Sequence, residues 1–336
     1  MLDRLASALE AGGHDVVRGS AIASGQVQHL DLGSGLDVLG QVDVAVLTGR
    51  TPIAEELLCA CRRLRGVVAP SVGVEFIDLD AASRHGIFVA NGATVENFIS
   101  MAEATVMLAM MLLYRPDWSR EVLDAQRERP PPLPESRWAR TLSGRKVGLV
   151  GFGNIALRVT ERLQAFGAQV LVADHGSLQR SRLPPSVVVM PLDDLLSSSD
   201  IVSLHVNAKP NQRALIGRRE LALMKSDAYL INTARGALVE EQALWEALAK
   251  ERIAGAALDT FEVEPLPAGS PLRSLRNVLL TPHMIGQTQE LFSSLQQAAI
   301  ANIHALLTGD IPPYCLNREI AGQWQQRWAQ SLTHRS

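Results

Sequence analysis

The stretch that most constrains this chain is residues 147–156, which read Val-Gly-Leu-Val-Gly-Phe-Gly-Asn-Ile-Ala. A short aliphatic run ends at Gly151, Gly153 follows, and Ala156 lies at the start of a helical pattern over residues 155–166. Gly151 permits a tight turn between strand and helix. Gly153 has no side chain to keep a ligand off the backbone, and a small residue at 156 lets helix and strand pack closely. A helix beginning there offers free N–H groups and the positive end of its dipole, and together these bind phosphate. Alone, Gly-x-Gly-x-x-Ala is a weak signal, since a glycine-rich turn beside an unrelated surface acid looks the same. Its setting decides its worth.

The setting is a series of buried strands. Residues 146–150, 170–173, 187–190, 201–206, 228–232, 253–258 and 278–280 are aliphatic or β-branched runs, as expected of strands covered on both faces. Helical patterns separate them, which predicts a parallel, doubly wound α/β sheet. Asp174 closes the second strand, 21 residues after Gly153, where a carboxylate binds a ribose 2′-hydroxyl and repels a 2′-phosphate. The site therefore reads as a dinucleotide site that favours NAD over NADP, with Arg180 and Arg182 nearby as the opposing signal.

A weaker α/β series comes first, so 336 residues suit two domains. Val16 and Val17 and residues 42–47, 66–69 and 87–90 read as strands, with helix over 53–63. Residues 97–123 read as one long helix rich in Ala, Met and Leu, and the prolines of 128–136 mark a linker or surface loop. Residues 287–307 are again helical, while 317–336 are polar with a weak pattern. The chain opens in a helical pattern where such a domain usually opens with a strand. Either a strand is missing at the N-terminus or the first domain is built differently.

Composition narrows the function. A net charge of −3 gives the whole chain no electrostatic reason to bind nucleic acid or an anionic membrane. The start lacks the apolar core of a signal peptide, and the apolar run at 106–114 is too short to span a bilayer. Cys59, Cys61 and Cys315 form neither a disulfide framework nor, lacking a Cys/His partner cluster, a zinc site. A cytoplasmic protein without a metal is the expectation.

Three further segments follow strands of the second series: Ile-Asn-Thr-Ala-Arg-Gly at 231–236, Asp-Thr-Phe-Glu-Val-Glu-Pro at 259–265, and Thr-Pro-His at 281–283. Ligands bind at the carboxyl ends of strands in open α/β sheets, so an arginine, a carboxylate and a histidine converge there. Taken singly, Arg235 is a solvated loop arginine, Glu264 a surface acid with Glu262 as its competitor, and His283 a capping or core histidine. Their joint placement after successive strands favours chemistry.

These blocks resemble the signature segments of the D-isomer-specific 2-hydroxyacid dehydrogenases, over about residues 40–310 and most densely over 142–286. The resemblance implies hydride transfer between NAD and a small 2-oxo or 2-hydroxy acid. It implies catalytic Arg235, Glu264 and His283, and cofactor contacts at Gly151, Gly153, Asn154, Ile155, Asp174, His205, Val206, Thr233, Ala234, Asp259 and His283. Substrate contacts fall on Val72, Gly73, Asn97 and Arg235. His283 would supply or take the proton, Glu264 would favour imidazolium, and Arg235 would grip the substrate carboxylate.

The implied architecture is two Rossmann-like, doubly wound domains. An NAD domain, 99–285, is inserted into a flavodoxin-like substrate domain, 1–98 plus 286–336, with the active site in the cleft between them. A homodimer is implied as well, residues 101–113 being a plausible contact helix. Departures from the family pattern include Glu75 and Phe76, Thr94 and Val95, Ala104, and Ala156 in place of the third glycine. Val72 stands where phosphite dehydrogenases carry a lysine, which disfavours phosphite. Alternatives are a phosphoglycerate-type dehydrogenase, with Arg50 meeting a phosphate or second carboxylate, and an NAD-binding corepressor-like or catalytically decayed paralogue.

Overall fold

In the computed structural model, residues 2–19, 22, 26–30, 32–116, 120, 123–124, 138–173, 183–208 and 213–333 are described. The chain divides into two compact units, Met1–Asn97 with Thr288–Ser336, and Phe98–Gln287.

The first unit opens with α1 (Leu2–Ala11) and α2 (Leu32–Leu39). Three parallel strands follow in the order β1 (Val44–Val46), β2 (Gly66–Val68), β3 (Phe88–Ala90). Between them run α3 (Glu55–Ala60) and α4 (Leu79–Arg84). Alternate strand residues serve opposite faces, as a pleated strand requires. Val67, Ala69 and Val89 join Leu57, Leu58 and Ile77 on one side. Val68 and Phe88 join Ile303, Leu306 and Trp324 on the other. This second face is covered by α10 (Gln289–Thr308) and α11 (Ala321–Thr333).

One expectation fails here. Val16 and Val17 lie in a stretch with no strand assignment, and Val17 is exposed, so these two β-branched residues form no strand of this sheet. The weak pattern after 317 conceals a helix: α11 buries Trp324 and packs Trp328 beside it, four residues apart on one helix face. Two tryptophans in an otherwise polar segment give too sparse an apolar stripe to read from sequence.

Between the two series runs α5 (Val95–Tyr114), 20 residues long. It ends before the expected residue 123, at Arg115, whose φ of 51° is left-handed. By length and apolarity α5 could cross a membrane, but half of it is buried. Its Ala102, Val106, Leu108, Ala109, Leu112 and Leu113 belong to the core of the second unit.

The second unit is a seven-stranded parallel sheet: β4 (Lys146–Val150), β5 (Gln169–Ala173), β6 (Val188–Val189), β7 (Ile201–Leu204), β8 (Tyr229–Asn232), β9 (Gly255–Leu258) and β10 (Val278–Leu280). The spatial order is β10-β9-β8-β7-β4-β5-β6. The chain winds one way from β4 to β6 and the other way from β7 to β10, so the switch point lies between β4 and β7. Around the sheet lie α6 (Asn154–Ala165), α7 (Leu192–Ser198), α8 (Arg218–Leu223) and α9 (Glu241–Ala249). Both faces are buried, which is why these strands read as unbroken aliphatic runs.

Candidate active site

The glycine turn stands at the switch point. Gly151 has φ 91°, and a Cβ there would lie 2.4 Å from Val206 Cγ1 and 2.7 Å from the His205 carbonyl oxygen. Both the backbone angle and the neighbouring strand end therefore demand glycine. A Cβ on Gly153 would meet nothing within 4 Å, so the space above it is open. Gly153 is also the N-cap of α6 and supplies no side-chain cap. An open approach, N–H groups without a side-chain cap and a helix dipole suit a diphosphate, so the chain's own residues fit a dinucleotide. Asn154 and Ile155 form the first turn of that helix. Asp174, Arg180 and Arg182 lie outside the described residues.

His205 follows β7. Its Nε2 is 3.0 Å from Ser203 Oγ, and burial pushes its pKa down to about 4, so its ring is neutral near pH 7. The loop after β8 is braced by the buried Asn232. Its Oδ1 accepts from Ala234 N at 3.1 Å and its Nδ2 donates to the Arg235 carbonyl at 2.8 Å. This brace fixes Thr233, Ala234 and Arg235, whose guanidinium donates to the Ala234 carbonyl at 2.6 Å. The next residue, Gly236, presses against the following loop: a Cβ there would lie 1.9 Å from Phe261 C and O.

The loop after β9 carries three acids with different partners, and the loop after β10 carries His283. His283 Nδ1 is 2.7 Å from Glu264 Oε2, and Glu264 Oε1 accepts from Phe261 N at 3.1 Å. Glu262, the competing carboxylate, turns elsewhere and accepts from Glu241 N at 3.0 Å. Asp259 is buried, and its Oδ1 accepts from Thr281 Oγ1 at 2.7 Å, Met284 N at 2.9 Å and Ile285 N at 3.2 Å. One carboxylate oxygen thus grips the loop on both sides of His283. That histidine is held at φ 56°, a left-handed conformation uncommon outside glycine.

The electrostatics follow from these contacts. The hydrogen bond to Glu264 raises the His283 pKa, against burial and the charge of Arg235, with the charges of Glu264 and Asp259 adding to the rise. Burial pushes Glu264 up, but the His283 bond, the Phe261 amide and the charges of His283 and Arg235 outweigh it and leave it below its ordinary value. For Asp259 burial wins, and its pKa is raised despite three donors.

In the first unit, Val72 and Gly73 lie on a loop held from two sides. The Val72 carbonyl accepts from Asn91 Nδ2 at 2.9 Å, and the Gly73 carbonyl accepts from Ser71 Oγ at 2.8 Å. Asn91 is tied in turn to the buried Asn302, which donates to its carbonyl at 3.0 Å. Asn97 stands in the first turn of α5, its N–H 3.4 Å from Thr94 Oγ1. Arg50 is exposed, with Nη1 3.4 Å from the Ile22 carbonyl. Among the described residues no group of His, Cys, Asp and Glu could hold a metal ion. The residues that sequence reading missed are the braces Asn232, Glu241, Asn91 and Asn302. Only Asn232 left a signal, an Asn two residues before a turn amide it can accept from.

A switch-point glycine turn with a histidine–carboxylate pair and an arginine on the neighbouring strand ends defines a dinucleotide-linked oxidoreductase domain. Residues 107–285 match the model for the D-isomer specific 2-hydroxyacid dehydrogenase, NAD binding domain. The chain is 35% identical over 289 residues to a glyoxylate reductase of Korarchaeum cryptofilum, covering 82% of each. It is 32% identical over 289 residues to a D-3-phosphoglycerate dehydrogenase of Methanocaldococcus jannaschii, covering 84% of this chain and 53% of that protein. The crystal structure of a D-lactate dehydrogenase from Aquifex aeolicus, complexed with NAD and lactic acid, superposes with a TM-score of 0.74 at 28% identity, covering 83% of this chain and 88% of that one. The chain belongs to the D-isomer specific 2-hydroxyacid dehydrogenases, enzymes that use NAD to act on the CH–OH group of a 2-hydroxy acid.

Proposed function

We propose that Arg235, Glu264 and His283 carry out this reaction, with a small 2-oxo acid as the substrate of reduction. The observation that carries the reading is the 2.7 Å contact between His283 Nδ1 and Glu264 Oε2, in which Nδ1 donates to the carboxylate and Nε2 is left to give or take the substrate proton. NADH, when bound, supplies the hydride. His283 as imidazolium donates its Nε2 proton to the carbonyl oxygen, and Glu264 holds the ring and favours its charged form. Arg235 donates two parallel hydrogen bonds to the substrate carboxylate and stabilises the developing alkoxide. In oxidation the neutral His283 takes the proton instead.

Gly151, Gly153, Asn154 and Ile155 are the proposed diphosphate cradle. His205, Val206, Thr233, Ala234 and Asp259 surround the rest of the cofactor, and Asp174 selects NAD. From the resemblance alone, the substrate contacts of the first unit are the amides of Val72 and Gly73 and the side chain of Asn97. A cytoplasmic homodimer completes the reading. Met107 and Tyr114, both exposed on the apolar α5, support self-association.

Glyoxylate is the first substrate to test, because relatives bear that name. NADH oxidation at 340 nm should show turnover of glyoxylate, hydroxypyruvate, pyruvate, phenylpyruvate or 3-phosphohydroxypyruvate, ranked by the pocket's preference. His283→Ala should lose about 10²–10⁴-fold in kcat while NADH binding persists. Equal loss of both would make His283 structural. NADH binding without turnover of any acid would shift the reading to a corepressor-like or decayed protein.

A further inference from the structure

Glu241 lies outside the proposed catalytic set, yet its contacts place it behind that set. It is the first residue of α9, where a helix N–H lacks a partner within the helix. Glu262 Oε1 accepts that N–H at 3.0 Å, and Glu241 Oε1 in return accepts from Glu262 N at 2.5 Å. The two residues thus form a closed pair, each carboxylate on the other's amide. Two acids face each other here, and the pair holds because each oxygen is given a backbone donor.

The peptide between Phe261 and Glu262 is what the Glu241 carboxylate fixes, while the Glu262 carboxylate serves the start of α9. Its carbonyl side lies against Gly236, directly after Arg235. Its N–H is the one that Glu241 accepts. One residue earlier, Phe261 N donates to Glu264 Oε1, whose other oxygen meets His283. The same short strut therefore seats the turn bearing Arg235 and the acid that orients His283.

We propose that Glu241 is a positioning residue for the dehydrogenase, holding the Phe261–Glu262 peptide so that Glu264 meets His283. The proposal rests on the catalytic reading given above. Glu241 touches neither hydride nor proton, so its loss acts through Glu264. The groups that face His283 are Glu264, Asp259 and Arg235, and those that face Glu241 are Glu262 and Glu264. In the direction of 2-oxo acid reduction His283 must be protonated, so turnover falls as pH rises through its pKa. A displaced Glu264 supports imidazolium less, and that fall then begins at lower pH.

The test is the pH profile of kcat for glyoxylate reduction in the full-length protein, or for whichever 2-oxo acid it reduces best. Glu241→Ala should lower kcat about tenfold and move the alkaline fall to lower pH, with KM and NADH affinity little changed. Glu241→Gln keeps an oxygen for the Glu262 amide and should restore the profile. Glu262→Ala uncaps α9 but leaves the Glu241 contact to the 262 amide, so it should lower Tm without moving the profile. Wild-type kcat and profile in Glu241→Ala would overturn the proposal. So would a loss of turnover matched by lost NADH affinity at an unmoved profile, which marks a structural role. If Glu241→Ala fails to fold, Glu241→Gln against Glu262→Ala decides: a shifted profile in the latter and not the former overturns it. A His283→Ala control separates the two failures. Wild-type turnover there overturns the catalytic reading itself, whereas an inactive His283→Ala beside an unchanged Glu241→Ala overturns only the role of Glu241.

Discussion

Adding one methyl group at Gly236 should cost both stability and rate, and the structure sets the size of each. The built Cβ lies 1.9 Å from the carbonyl carbon and oxygen of Phe261 and 2.6 Å from Glu262 N. All three are backbone atoms, so no side chain can rotate away. Relief to ordinary contact requires the 235–236 turn and the 261–262 peptide to part by about 1.5 Å, an overpacking that costs about 1–3 kcal/mol. The backbone angle at Gly236 is not left-handed, so sterics alone carry the cost. For a unit of this size that corresponds to a fall in Tm of about 2–12 °C. The rate should suffer more, because an error of about 1 Å in placing catalytic groups costs about 10²-fold. Gly236→Ala is therefore expected to fold, bind NADH, melt earlier and lose about 100-fold in kcat/KM in the 340 nm assay. Wild-type Tm and kcat/KM together would refute the close approach of the two loops. A lowered Tm with full activity would show that the loops part without disturbing Arg235 or Glu264.

Other expectations follow from the acids of the site. Glu264→Gln removes the charge that favours imidazolium, so the alkaline fall in 2-oxo acid reduction should move to lower pH; an unmoved limb would count against the pairing. The same pair contributes to stability through opposite linkages. The raised His283 contribution is full below about pH 6.5 and is lost as pH climbs through the folded pKa; the lowered Glu264 contribution is full above about pH 4.3 and is lost as pH falls through its own. Urea unfolding in Glu264→Gln should accordingly lose the most relative to wild type between those limits. Asp259→Ala strands three donors, each worth about 1–3 kcal/mol, and should destabilise the second unit by several kcal/mol and reduce kcat more than NADH affinity. Asp259→Asn, which keeps an acceptor oxygen, should be milder, and equal effects of the two would show that the charge matters rather than the three contacts.

Much of the second unit was legible because its strands are buried on both faces and lie close together in sequence. The run at 146–150 and the glycines behind it could hardly fold otherwise, since Gly151 sits in a left-handed turn pressed against the end of β7. The first unit was harder. Val16 and Val17 carry a strand-like composition, but strand formation depends on a neighbour to pair with, which propensity does not encode. At the other end, α11 hides its purpose in two tryptophans. Trp324 packs 4.8 Å from Phe88 and donates from Nε1 to the Arg65 carbonyl at 2.8 Å, contacts more than 200 residues away in sequence. Arg327 donates to carbonyls of Cys61, Arg62, His85 and Gly86 and so acts as a latch, a role with no local sequence signal. In the site, the choice between Glu262 and Glu264 was open in sequence because the two are only two residues apart. What separates them is the Glu241 amide, which recruits Glu262 away from the histidine.

The division of labour among these acids explains why an exposed histidine can be held in one place. His283 is about half exposed, and at φ 56° its backbone is in a region that costs about 1–3 kcal/mol for a residue other than glycine. Left to itself such a loop would relax and carry the imidazole with it. Asp259 opposes this from below with three hydrogen bonds to a single buried carboxylate, each worth about 1.5–3 kcal/mol because the acceptor is charged. Even with a large discount for non-additivity, that sum exceeds the strain, so the left-handed turn is the stable state. Glu264 then has only the ring to orient, and Glu241 fixes the peptide from which Glu264 is held. An ionised Asp259 is required for the full effect, and burial already strains that ionisation by raising its pKa. The turn is therefore most secure well above the pKa of Asp259, while the proton of His283 is most available below its own raised pKa. Reduction should be best supported in the interval between the two, where the loop is clamped and the imidazolium is still charged.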